Sequence, residues 1–115
     1  MDIKKYLKDN VMVFELSGKL DVNTSPAVQD EIMVQIEPDC RIIIDMEKCD
    51  YVSSAGLRVL MIIAKQMAKV GGFGALVGLQ EEIKDVMEMT GFDNLFIIHE
   101  NIEQALVSVH KEEAI

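Results

Sequence analysis

Asp50-Tyr51-Val52-Ser53-Ser54-Ala55-Gly56-Leu57 is the stretch whose reading decides the fold, because it joins two segments with different hydrophobic periods. Upstream, Arg41-Ile42-Ile43-Ile44-Asp45 is short, apolar and β-branched. That pattern suits a central strand covered on both faces, with Met46 to Val52 following as a loop or a short extension. Downstream, residues 55–70 place Leu57, Leu60, Met61, Ala64 and Ala68 on one helical stripe, widened by Val59, Ile62, Ile63 and Met67. A helix this apolar is wedged against more than one neighbour, or keeps part of its surface for a partner. In open α/β sheets, function sits where a strand ends and a helix begins. Two hydroxyls open the helix at that junction, where free N–H groups and partial positive charge suit an anion such as a phosphoryl group. In isolation a Ser-Ser pair at a helix start is a plain capping pair, with Ser53 the cap and Ser54 the exposed first-turn residue.

Working outward, residues 11–16 alternate, with Met12, Phe14 and Leu16 on one side, which predicts a strand with one well-buried face. Residues 3–7 pair with it through a turn at Lys8-Asp9-Asn10. Gly18 ends this second strand and residues 19–23 read as a loop. Thr24-Ser25-Pro26 is a helix start, with a hydroxyl to cap and proline in the first turn. Val28, Ile32, Gln35 and Ile36 share one face of that helix, which Glu37-Pro38-Asp39 ends. Beyond the apolar helix, Gly71-Gly72 is a stop, residues 73–79 a buried strand, and residues 81–89 a helix with Ile83, Val86 and Met87 on one side, closed by Gly91. Residues 95–98 read as a brief strand, and Asn101 caps a last helix carrying Ile102, Ala105, Leu106 and Val109, with a frayed tail over 111–115.

The order β-β-α-β-α-β-α-β-α predicts one α/β domain over residues 1–115. It has a mixed, mostly parallel sheet of about four or five strands, an N-terminal antiparallel hairpin and about four helices.

Composition narrows the function. A net charge of −9 repels phosphate backbones and anionic membrane faces, so neither nucleic acid nor membrane is an expected partner; a basic protein surface is. No apolar run reaches the roughly 18–20 residues needed to span a bilayer, and the start MDIKKYLKDN lacks a signal-peptide core, so a cytoplasmic location is expected. Cys40 and Cys49 are then reduced, semi-buried thiols; they form no CxxC pair and no Cys/His cluster joins them, so no metal is expected. His99 and His110 lack a nucleophile at recognisable spacing and read as surface residues. Gly71-Gly72-Phe73-Gly74 lacks the Lys-Ser/Thr of a phosphate loop and lies between helix and strand, the wrong order for one. The eight methionines read mostly as core filler, with Met61 and Met89 candidates to flank a partner groove. No phosphate loop, metal set or activated nucleophile supports an enzyme, and no cofactor is expected.

Tyr51-Val52-Ser53-Ser54-Ala55-Gly56-Leu57 resembles the signature of STAS domains, which include the bacterial anti-sigma factor antagonists. Three further pieces resemble the family in the same order: Phe14-Glu15-Leu16-Ser17-Gly18-Lys19-Leu20-Asp21, then Ile42-Ile43-Ile44-Asp45, then Met89-Thr90-Gly91-Phe92-Asp93-Asn94-Leu95-Phe96. The resemblance implies a STAS fold. It also implies a protein that binds an anti-sigma factor with serine kinase activity while unphosphorylated, freeing a sigma factor for transcription. Phosphorylation would break that complex and a serine phosphatase would reset it. The family's phosphorylated serine falls on Ser54. Ser53 stands where the best-known antagonists often carry Asp, and Ala55 where they carry Ser or Thr, which leaves Ser53 open as an alternative acceptor. The partner-binding residues implied are Asp21, Ser53, Ser54, Ala55, Gly56 and Leu57. Asp21 matches an acidic loop residue near the phosphoacceptor surface, a region to which nucleotide binding has been attributed, and reads equally as a turn-forming Asp. Asp21, Asp45 and Asp50 are expected along the same sheet edge, where an added phosphate meets existing negative charge. A monomer is the expected state. The alternative reading is a STAS interaction or nucleotide-sensing module of a stress-signalling or transporter assembly.

Overall fold

A computed structural model describes residues 1–91 and 96–113, the last four by backbone alone. The described elements run β1 (Asp2–Lys8), β2 (Val11–Leu20), α1 (Ser25–Met33), β3 (Arg41–Asp45), β4 (Cys49–Val52), α2 (Ser54–Val70), β5 (Phe73–Val77), α3 (Glu81–Met89), β6 (Ile97–His99) and α4 (Ile102–Glu113).

β1 and β2 form an antiparallel hairpin, with Asp2 opposite Ser17 and Lys8 opposite Val11. Its two-residue turn puts Asp9 and Asn10 at φ 51° and 65°. Two successive positive φ values match the right-handed strand twist, and Asp and Asn tolerate them. β2 runs parallel to β3, β3 to β5 and β5 to β6. The sheet order is β1-β2-β3-β5-β6, and β4 lies off this path, paired with the end of β2.

The described sheet has six strands, one more than the upper expectation, because Cys49–Val52 forms a separate strand β4 rather than a loop or a short extension of β3. β2 is also longer than predicted. Gly18, at φ 111°, is a bulge rather than a stop: the register shifts between Gly18 and Lys19, and pairing continues through Leu20 onto β4. Both faces of β2 are covered, not one. Phe14, Leu16 and Leu20 pack with Val28 and Ile32 of α1, Leu60, Ile63 and Met67 of α2, and Ile83 and Met87 of α3. Val11 and Val13 pack on the other face with Ile43, Ala105, Leu106 and Val109, so among the described helices α4 covers that side.

α1 ends at Met33, before Gln35 and Ile36. The chain leaves it through two tight i→i+3 bonds, Gln35 N–H to the Ile32 carbonyl at 3.0 Å and Ile36 N–H to the Met33 carbonyl at 3.2 Å, which still deliver Ile36 to the core. The hydroxyl cap expected at Thr24-Ser25-Pro26 does not form: Thr24 is the N-cap of α1, and its side chain makes no cap bond. The Asp21 carboxylate serves the turn before it instead. α2 stops at Gly71, at φ 72°, as predicted. β5 ends at Val77, two residues early, because Gly78 turns at φ 71° against the backbone of Glu47. β6 begins at Ile97; Leu95, expected to open it, lies outside the described residues. Phe92-Asp93-Asn94 of the late turn, the side chain of His110 and the last two residues of the tail lie outside them too. α4 continues to Glu113 where fraying was expected from Lys111, and Asn101 does cap it, its Oδ1 accepting from Gln104 N–H at 2.9 Å.

Candidate functional site

The site is built where β2 and β4 end together. Lys19 stands opposite Tyr51 and Leu20 opposite Val52. One residue on, Ser53 N–H donates to the Leu20 carbonyl at 2.9 Å. Ser53 is extended, at φ −81° and ψ 174°, and its Oγ accepts from Gly56 N–H at 3.2 Å. Its carbonyl accepts the first helical bond, from Leu57 N–H at 2.9 Å. Ser53 is therefore the N-cap of α2, and Ser54, the first helical residue, is exposed. Among the described residues, the Ser54 hydroxyl makes no hydrogen bond to protein.

Gly56 explains why the helix can start so close to the sheet. A Cβ there would lie 2.6 Å from the Leu20 carbonyl oxygen and 2.8 Å from Leu20 Cγ. The first turn of α2 therefore rests directly on the end of β2. The chain continuing from Leu20 turns back at once: Asp21 Oδ1 accepts from Asn23 N–H at 2.9 Å and from Thr24 N–H at 3.2 Å, while Thr24 Oγ1 accepts from Asp21 N–H at 2.9 Å and donates to the Lys19 carbonyl at 2.8 Å. The structure thus gathers Asp21, Ser53, Ser54, Ala55, Gly56 and Leu57 around one strand end. Asp21 spends a carboxylate oxygen on its own turn, and so performs the local role that the sequence weighed equally with nucleotide binding.

Leu57 is half-buried one helical turn below Ser54, on the same side of α2. With Tyr51, Val52, Ile83 and Val86 it lines a cleft of about 160 Å³ between α2 and α3, edged by Asp50 and Glu82. Tyr51 and Val86 are 49% and 41% exposed, so this is apolar surface open to a partner. Met89, one of the two methionines proposed to flank a groove, is exposed at the end of α3, and Met61 is half-buried on α2. Two cations stand close to the serine motif. The Lys19 ammonium lies 5.9 Å from the Tyr51 ring centroid. Arg58 is exposed one turn beyond Ser54, and its guanidinium forms no ion pair or hydrogen bond with a described residue.

Asp50 is exposed on β4, but Asp45 does not join an acidic edge at the surface. It is 6% exposed at the end of β3 and points to the face covered by α4, the side Ile43 also faces and Ile44 does not. Burial pushes its carboxyl above the ordinary range; the Glu47 N–H bond at 3.0 Å works against this, and the Glu47 and Glu15 carboxylates add to it. Lys48, which pairs with Glu15 at 3.0 Å, partly offsets them. His99 is not a surface residue: it is half-buried in β6 opposite Val77, with Nε2 sealed from solvent and without a hydrogen-bond partner among the described residues. Cys49 is fully buried, its thiol pushed up by burial, and Cys40 is half-buried. Among the described residues no cluster of His, Cys, Asp or Glu is arranged to hold a metal, and no helix is long and apolar enough to cross a membrane.

Sequence reasoning found the hydroxyl pair and its division of roles, and missed three parts of the site. The Leu20 carbonyl carries no side-chain signal. The cleft needs α3 beside α2, which periodicity does not reveal. Arg58 was legible as a cation four residues after Ser54, a spacing that brings side chains together on a helix.

Residues 2–105 match the STAS domain family. A relative from Bordetella bronchiseptica, the candidate anti-sigma factor antagonist BtrV, is 31% identical over 98 residues, 84% of each chain. In fold, the chain is similar to the crystal structure of a candidate anti-sigma factor antagonist from Thermotoga maritima, with TM-score 0.85, 20% identity and 94% of each chain covered. It is also similar to the Bacillus cell fate determinant SpoIIAA in its phosphorylated form, with TM-score 0.70, 16% identity, and 94% of this chain and 99% of that one covered. The hydroxyl-capped start of α2, the order of strands and helices around it and the match over residues 2–105 agree: the chain belongs to the STAS domain family.

Proposed function

We propose that this protein is an anti-sigma factor antagonist. In its unphosphorylated form it docks on an anti-sigma factor that is also a serine kinase, so releasing a sigma factor. The kinase then phosphorylates Ser54, the complex separates, and a serine phosphatase restores the binding form. The likeness to BtrV and to a phosphorylated SpoIIAA supports the class. The observation that carries the assignment to this residue is the exposed hydroxyl of Ser54 at the start of α2, which makes no hydrogen bond to a described residue and stands one helical turn from Leu57, a wall of the Tyr51–Val86 cleft.

Phosphate adds roughly −1.5 to −2 charges at neutral pH, on a chain whose net charge is already −9. At the first residue of a helix that charge is locally tolerated. Its effect therefore falls on the interface, where a desolvated dianion is costly and repels any acidic group facing it. The partner surface comprises Asp21, Ser53, Ser54, Ala55 and Leu57, seated on the buried Gly56 and extended by the Tyr51–Val86 cleft. The protein acts by binding rather than by catalysis, as a cytoplasmic monomer.

The test is a pair of variants. Ser54→Ala, incubated with the cognate kinase and ATP, takes up no phosphate and keeps binding. Ser54→Asp loses binding while its melting temperature stays within about 2 °C of wild type, as expected for a surface substitution. Full labelling of Ser54→Ala would move the acceptor to Ser53. Loss of fold in Ser54→Asp would overturn the interface mechanism.

A further inference from the structure

Arg58 has no assigned work: it is exposed, four residues beyond Ser54 on α2, and its guanidinium meets no described carboxylate. Residues four apart on a helix have Cβ atoms about 5–6 Å apart on one face. The order, with the anionic residue N-terminal to the cation, is the favourable one. Both side chains point outward, so neither must leave a buried position to meet. Building on the reading of Ser54 as phosphoacceptor, we infer that Arg58 is an intramolecular phosphate clamp: once Ser54 is phosphorylated, the guanidinium of the same chain holds the phosphoryl group.

The chemistry fits the pair. A guanidinium presents parallel N–H donors that match two phosphate oxygens, where an ammonium acts as a point charge. The unphosphorylated chain leaves Arg58 on the docking surface, available to an acidic group of the partner. Phosphorylation turns it inward onto its own helix. The switch therefore has two parts: a dianion is added to the interface, and a cation is withdrawn from it. The phosphatase must in turn break this pair to reach the phosphoryl group.

Phosphoserine installed at position 54 during synthesis tests this without any kinase, so a failure here is separable from failure of the phosphoacceptor reading. The titration of the phosphate is followed by phosphorus NMR in the full chain and in Arg58→Ala and Arg58→Lys. The clamp favours the dianion, so the second ionisation of the wild-type phosphate lies lower than in Arg58→Ala by about 0.3 pH unit, the size expected of one exposed helical ion pair. The Arg58 Nε–H resonance moves on phosphorylation and follows the same titration. Arg58→Lys recovers part of the shift, as a point charge does. Identical titration curves in the wild type and Arg58→Ala, or an Arg58 Nε–H resonance indifferent to the phosphate, would overturn the inference. Because Arg58 is exposed, the variants keep the fold, which their circular dichroism checks.

Discussion

Replacing Gly56 by alanine tests the contact on which the whole site rests. The added methyl carbon would stand 2.6 Å from the Leu20 carbonyl oxygen, 2.8 Å from Leu20 Cγ and 3.1 Å from Val52 Cγ1. An ordinary carbon-to-oxygen approach is about 3.3 Å, so the helix start must withdraw by about 0.7 Å. Leu20 cannot give way, since it is fully buried and its backbone is paired with β4. The same oxygen accepts the Ser53 N–H at 2.9 Å, and a withdrawal along that line stretches the bond beyond the useful range. Losing the bond costs about 1 kcal/mol, and overpacking costs about 1–3 kcal/mol. Alanine recovers up to about 1 kcal/mol through helix propensity. The net is a loss of about 1–3 kcal/mol, or about 4–12 °C in melting temperature for a domain of this size. Thermal unfolding followed by circular dichroism reads it directly. Gly71→Ala is the reference: its Cβ meets nothing within 4 Å, so it pays only for a left-handed φ of 72°, about 1 kcal/mol. A Gly56→Ala protein melting at or above wild type would refute the claim that α2 is seated on the end of β2.

Two further outcomes follow from the same geometry. Ser53→Ala removes the oxygen that accepts Gly56 N–H and costs about 1 kcal/mol, read as a lower urea midpoint with unchanged slope, while the Ser54 hydroxyl stays exposed. Asp45→Asn keeps an acceptor for Glu47 N–H and removes a buried charge. Because the Asp45 carboxyl is raised above 3.8, its stabilising share is complete below that pH and is lost as the pH climbs through the folded value. The variant is therefore more stable than wild type at pH 7, and its advantage shrinks on acidification toward pH 4; urea unfolding at both pH values checks the sign.

The sequence disclosed most where one residue type answered one physical demand. Gly71 stops α2 because only a left-handed residue ends the helix there, and Asn101 caps α4 through its own side chain. The reading faltered where the answer lay in the partner strand. Cys49–Val52 has four residues, two of them exposed, and carries neither an alternating pattern nor an apolar run; it becomes β4 only because β2 extends far enough to receive it. Gly18 reads as a terminator, yet its φ of 111° makes the bulge that carries β2 onward to Leu20. Asp45 looked like a surface acid at a strand end, and α4 on the far face changed its solvent exposure without altering any local signal.

The two adjacent hydroxyls show why a charge switch can be placed here without endangering the fold. Ser53 is committed: its N–H, Oγ and carbonyl all hold the junction between β2 and α2, at 2.9, 3.2 and 2.9 Å. A kinase acting on it must first withdraw the cap. Ser54, one residue on, has lost its side chain from that network by the first turn of the helix, so its Oγ holds nothing that modification would break. That difference favours Ser54 over Ser53 as acceptor on structural grounds, independently of motif. Gly56 sets the distance between the two roles. By letting α2 start against the Leu20 carbonyl, it keeps Ser53 tied to the sheet and leaves Ser54 facing solvent beside the Tyr51–Val86 cleft. In the proposed switch, the group that changes charge is thus held in place by groups that do not, which is what a docking switch with a constant fold requires.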